Sequence, residues 1–298
     1  MKNNPLTPEK VYLGRVLFYD PIISRDSSIS CASCHSQYNA FAHADHALSH
    51  GIGDKIGTRN APALMNLAWQ KNLMWDGAVH HLDAQTLAPI TNPSEMDENI
   101  GRLIQKLNRS EIYRELFYKA YKDSIPTGER LLKSISTFLL TLVSSNSKYD
   151  LVMKGKELFT SQEKKGYEIF KKNCSNCHKE PLFTSDEFEN NGLFPDKKLF
   201  DIGRAKISLN PNDSFKFKVP TLRNIEFSFP YMHDGRFKNL QDVINHYNGE
   251  KFNHINLSEK LNKTMKLNSA EKTDLVAFLL TLTDKSFMFD SRWAWNQT

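Results

Sequence analysis

Cysteine occurs four times in 298 residues, and all four fall within two copies of Cys-x-x-Cys-His, CASCH at 31–35 and CSNCH at 174–178. This spacing sets two thiols one helical turn apart, where they can add to the two vinyl groups of a haem. The adjoining histidine then lies under the iron as its proximal ligand. A redox disulfide has no need of the histidine. A zinc site would want its cysteine pairs about 15–20 residues apart, and here Cys31 and Cys174 are 143 positions apart. The pattern points to two covalently bound haem c groups, held by Cys31, Cys34 and His35 and by Cys174, Cys177 and His178.

One attachment motif in each half suits a chain long enough for two domains, expected at 1–150 and 151–298. A hydrophobic content of 40% supports real cores, and the net charge of +5 is mild and well mixed. No basic run suggests nucleic acid, although the surplus could favour an acidic redox partner. No stretch approaches the roughly 20 apolar residues of a membrane span, and the first residues, MKNNPLTPEK, carry no apolar signal region. Because haem attachment of this kind normally follows export, the expectation is a periplasmic protein whose signal or anchor segment is absent from this sequence.

The chain is also written twice. APALMNL (61–67) and WDGAVHHL (75–82) return as VPTLRNI (219–225) and HDGRFKNL (233–240), both at an offset of 158. FLLTL occurs at 138–142 and again at 278–282. Motif, Pro-x-Leu-x-Asn, Asp-Gly and closing helix keep one order in both halves, which argues for internal duplication. The expected fold is mainly α. Thr7, Pro8 and Glu9 read as the start of a helix running to Tyr19. Apolar residues at three- and four-residue spacing predict helices over 98–120 and 128–143. Ser161 is expected to cap one more helix and Ser269 to open the last. Stretches 36–97 and 179–238 are rich in Gly, Pro, Asn and Asp and read as long ordered loops wrapped over haem, with a linker near 144–156.

These residues resemble the bacterial dihaem cytochrome c peroxidases and their MauG-type relatives over nearly the whole chain. The likeness is carried by LGRVLFYDPIISRDSSISCASCH (13–35), GTRNAPALMN (57–66), MWDG (74–77), PITNPSEM (89–96), the second CSNCH, VPTLRNI and FPYMHDGRF (229–237). It implies two cytochrome c-like helical domains. Hydrogen peroxide would react at the N-terminal haem, and the C-terminal haem would take electrons from a small cytochrome c or copper protein. It also implies one calcium ion between the domains. Family members often pair as homodimers, though no stretch of this sequence marks an interface.

A peroxidase iron needs an open sixth position, whereas an electron-transfer iron keeps both axial ligands. At the offset of 158, Pro89 corresponds to Tyr247, and proline cannot ligate iron. The first haem is therefore expected to be open where the second is closed. Tyr247, which the resemblance favours, and Met232 in PYMHDG are the rival ligands of the second haem; His246 reads as a neighbour. By resemblance, Glu95 is the distal acid–base carboxylate, Gln85 an amide that orients peroxide, and Trp75 a relay between the haems. Asn60, Ser228 and Pro230 match the calcium ligands. His50 lies near where typical family peroxidases carry a blocking distal histidine, with His43 and His46 as loop neighbours. The expected activity is peroxide reduction to water. The alternatives are a MauG-like oxidase acting on a residue of a partner protein, and a plain dihaem electron carrier.

Overall fold

The computed structural model describes residues 4–261 and 265–295. In the first half, α1 (Pro8–Tyr19) leads to the short attachment helix α2 (Cys31–Cys34). After a long loop come α3 (Leu82–Gln85), α4 (Leu87–Thr91), α5 (Ile100–Arg109), α6 (Glu111–Tyr121) and α7 (Gly128–Thr141). Helix α8 (Lys148–Met153) joins the halves. The second half has α9 (Ser161–Asn173), α10 (Ala205–Ser208), α11 (Leu240–Asn248), α12 (Ser269–Leu280) and α13 (Lys285–Met288). The strands β1 (Phe188–Glu189) and β2 (Phe217–Lys218) pair antiparallel, two residues each. The fold is thus mainly helical, as the sequence predicts.

Local chemistry sets the helix ends. Thr7 accepts the Lys10 amide and Pro8 follows at the first turn, where a missing N–H costs nothing. The single helix expected over 98–120 is two, because Ser110 interrupts it and its hydroxyl accepts the Tyr113 amide to start α6. Thr160, not Ser161, caps α9. Its hydroxyl accepts the Glu163 amide, and the Glu163 carboxylate accepts the Thr160 amide in return. The expected linker at 144–156 is structured by α8, whose Asp150 forms a two-pronged, buried ion pair with Arg223 at 2.8 and 2.9 Å.

The duplication extends to packing that the sequence motifs do not carry. In each half the first long helix crosses the last at a glycine. A Cβ on Gly14 would lie 1.9 Å from the Ser134 carbonyl oxygen, and one on Gly166 would lie 1.9 Å from that of Asp274. Only glycine lets the two backbones approach so closely. Around these crossings lie two hydrophobic clusters. One is built on Leu13, Leu17, Phe18, Phe41, Leu103, Phe117 and Phe138. The other is built on Phe170, Phe183, Ile244, Leu275 and Phe278.

A buried polar knot ties the halves together. Asn66 and Asn224, the asparagines of the two Pro-x-Leu-x-Asn motifs, both adopt φ of 54°, a conformation asparagine tolerates. Their amides donate to the equivalent carbonyls of Leu142 and Leu282. Asn224 then donates to Ser144 Oγ at 3.0 Å and accepts the Asp284 amide at 2.7 Å, while Asn66 exchanges two bonds with the Ser144 backbone.

Residues 150 and 151 both lie within α8, and Tyr149 packs in the second cluster. Phe287, Met288 and Trp293 leave the second half and join the first cluster.

Candidate active site

Helix α2 presents CASCH. Its N-terminus is closed by Ser30 and Ser33 in a reciprocal capping box, and the His35 amide returns to the Cys31 carbonyl at 2.9 Å. The His35 Nδ1 donates to the Phe41 carbonyl at 2.7 Å, which fixes the ring and leaves Nε2 to face a metal. Burial pushes the His35 imidazole down to about 4, so the ring is neutral and its lone pair available. The second motif repeats the device with a difference: His178 Nδ1 shares two carbonyls, Phe183 and Pro220, each at 3.1 Å.

Two expected residues, Glu95 and His50, lie by the first motif, and a third, Gln85, ends α3. Glu95 sits just past α4, its carboxylate accepting the Asn92 amide at 2.8 Å and its carbonyl accepting the Ile52 amide. Burial raises the Glu95 pKa above the ordinary carboxylate value. Burial chiefly raises the Cys31 and Cys34 thiols, and both also feel the Glu95 charge, which places this carboxylate in their neighbourhood. Gln85 closes α3. Its Nε2 donates to Met74 Sδ at 2.8 Å, while its buried Oε1 has no partner among the described residues. A buried acceptor without a donor is costly, and His43 Nδ1 and Asn190 Nδ2 are likewise buried without a partner among the described residues. His50 is tied in by its backbone, whose carbonyl accepts from the Cys34 thiol at 3.3 Å; its ring lies tilted 4.1 Å from that of His46, with His43 beyond.

Pro89 lies in α4, one helical turn after Gln85. Lacking an N–H, it cannot complete the helix bond to the Gln85 carbonyl, and the helix breaks at Thr86. The equivalent α11 runs unbroken and carries Tyr247. Burial pushes the Tyr247 phenol up to about 12, with smaller contributions from the charges of Cys174 and Cys177. Asn191 was not anticipated. Its Nδ2 lies 3.3 Å from the Tyr247 hydroxyl and 3.5 Å from Met232 Sδ, and its carbonyl meets His246 Nε2 at 3.1 Å. Both rival ligands therefore converge on one amide. The only signal in the sequence is an Asn-Asn-Gly turn, which reads equally as a loop.

Trp75 stands at the junction of the halves. Its indole N–H donates to the Asn60 carbonyl at 2.9 Å, and its own carbonyl accepts the Lys218 amide of β2 at 2.7 Å. Arg59 braces this junction, bonding Asp76 and, at 2.6 Å, Asp201. The Asn60 side-chain nitrogen donates to the Ala47 carbonyl and its main-chain amide to the His233 carbonyl. Ser228 follows the Asn224 turn, and Pro230 is preceded by a cis peptide. Among the described residues, no group of three or more His, Cys, Asp or Glu side chains is arranged to hold a metal ion. No described helix is long and apolar enough to cross a membrane.

Comparison with known proteins agrees with this architecture. The family described as di-haem cytochrome c peroxidase matches residues 8–158, and the cytochrome c family matches residues 163–283. The methylamine utilization protein MauG of Methylophilus methylotrophus is 36% identical over 94% of this chain and 84% of its own length. The cytochrome c551 peroxidase of Nitrosomonas europaea is 34% identical over the same shares. Among solved structures, a MauG-like protein associated with microbial copper homeostasis superposes with a TM-score of 0.92 at 29% identity, covering 99% of this chain and 95% of its own.

Proposed function

The chain belongs to the dihaem cytochrome c peroxidase and MauG family of oxidoreductases, and from that premise we propose that it reduces hydrogen peroxide to water on the His35 side, with electrons entering on the His178 side. The observation that carries this assignment is the asymmetry at equivalent positions: Pro89 with the partnerless Gln85 Oε1 in one half, Tyr247 with Asn191 in the other. The free, half-buried cysteines and the neutral, carbonyl-anchored histidines fit two haem c groups, which supply the redox chemistry when bound.

The protein's own groups handle protons and position. Glu95 takes the proton that peroxide loses on binding and returns it to the departing oxygen, which needs one carboxylate in a partly dry site. Gln85 accepts the remaining O–H and orients it. Pro89 denies the site a competing side-chain ligand. Trp75, bonded to both halves, carries electrons between them. Tyr247, which the repeat sets opposite Pro89, is assigned ahead of Met232 as the residue that would also hold the haem on the His178 side. Asn60, through Oδ1, and the carbonyls of Ser228 and Pro230 are the oxygen donors assigned to calcium, a hard cation. A small periplasmic redox protein is the assigned donor, and a periplasmic location is consistent with the family.

Tyr247 also favours a second reading, a MauG-like oxidase that uses peroxide on a residue of a partner protein. A phenolate favours ferric iron and lowers the potential, which eases higher oxidation states. Steady-state turnover with reduced cytochrome c or a copper protein separates the two. Rapid peroxide-dependent oxidation of such a donor supports the peroxidase. Absence of turnover with every small donor, alongside a long-lived oxidised spectrum, would transfer the assignment to the oxidase.

A further inference from the structure

The segment FMFDSRWAW (287–295) crosses from the second half to the back of the His35 site. Phe287 and Trp293 are 1% and 6% exposed within the first core. Three side chains of the first half grip its backbone carbonyls, each at 2.8 Å: Arg15 on Arg292, Tyr19 on Trp293 and Gln37 on Asp290. Phe41, whose carbonyl anchors the His35 ring, starts two aromatic chains toward the surface. One passes to Phe287 at 5.8 Å between centroids and then to Trp293 at 4.8 Å. The other passes to Phe18 at 5.9 Å, Tyr19 at 5.3 Å and Trp295 at 5.7 Å. Packing asks only for apolar area, which Phe or Leu supplies. Beyond the phenylalanines, however, these chains place Trp and Tyr, the side chains that give up one electron most readily. Trp295, at the end of the second chain, is 42% exposed.

We propose that Trp293 and Trp295, with Tyr19, form a second electron port into the His35 side, separate from the route through His178 and Trp75. The proposal rests on peroxide reacting at that side. Hydrogen peroxide, the oxidant, takes two electrons from the site as its O–O bond breaks and leaves as water. An indole of the port returns one electron and becomes a radical cation, which a reductant at the surface refills. With no reductant present, the indole gives up a second electron and takes oxygen from a water molecule. It becomes hydroxytryptophan and releases two protons, so that one peroxide is consumed per indole hydroxylated.

The test treats the haem-loaded protein with hydrogen peroxide in the absence of any donor, recording its visible spectrum and then mapping oxygen addition at all four tryptophans by peptide mass spectrometry. Trp69 is the internal control, since at 56% exposure it is more open to free peroxide than Trp295. Oxygen at Trp293 and Trp295 ahead of Trp69 is the expected result, together with slower decay of the oxidised spectrum in the Trp293→Phe/Trp295→Phe double variant. Should that variant not fold, Trp295→Phe at the exposed end carries the same comparison. Oxidation that follows exposure, with Trp69 first and Trp293 spared, overturns the port, as does an unchanged decay. A spectrum that peroxide leaves untouched removes the parent assignment and the port with it.

Discussion

Residues 82–91 and helix α11 hold equivalent places in the repeat, yet only α11 is a continuous helix. The first is split by Pro89 and leaves a buried acceptor on Gln85; the second carries Tyr247, whose hydroxyl meets the Asn191 amide. Both halves keep the same attachment motif, the same carbonyl-anchored histidine and the same glycine at the helix crossing. The structural difference between the halves at this place is thus one turn of helix laid over a shared scaffold. A duplicated fold can specialise its copies cheaply when the differing residue does not carry the core.

The contrast can be broken most severely at Glu95. Glu95→Gln should lower kcat/KM for peroxide by about 10²–10⁴-fold while leaving the resting spectra of both haems in place; full retention of activity would end its acid–base role. The same carboxylate sets a pH limit. Burial holds its pKa above the usual ~4.3, and only the ionised form can accept a proton. Activity should thus fall on acidification through a pKa above the ordinary carboxylate range, and this limb should vanish in Glu95→Gln.

On the other side of the comparison, Tyr247→Met should raise the potential of the second haem by on the order of 0.1 V and change its spectrum, leaving the first haem alone. An unaltered redox titration would return the ligand role to Met232. Next in size is the knot between the halves. Asn224→Ala strands the buried Asp284 amide and takes one partner from the Ser144 hydroxyl, at a cost of about 1–3 kcal/mol, seen as a Tm lowered by several degrees. The smallest effect is expected at Asn191. Asn191→Leu removes an N–H donor from the Tyr247 oxygen and should shift the absorption of the second haem modestly, with peroxide binding on the His35 side unaffected.

Much of the helical layout was legible because it is local. The Thr7 cap, the apolar spacing of 128–143 and the attachment motifs depend on residues within a few positions of one another. The misjudged ends have local causes too. Ser110 divides a run whose apolar spacing continues across it, and Thr160 outcompetes Ser161 because Glu163 completes its capping box. The candidate site was legible only through resemblance and the offset of the repeat. Asn191 escaped because nothing in Asn-Asn-Gly says that its amide will stand between Met232 and Tyr247, 41 and 56 positions away.

Composition and order alone dictated two attachment motifs, a twofold repeat, and a proline facing a tyrosine across it, since covalent haem chemistry and proline's missing N–H need no distant partner. Only the folded chain decided which groups meet. The orphaned acceptor of Gln85, the convergence on Asn191, the Asn66–Ser144–Asn224–Asp284 knot and the return of Trp293 to the first core all join residues far apart in sequence. Such contacts form because burial compels polar groups to find partners and apolar ones to find cover, and a linear pattern does not specify which distant residue will answer.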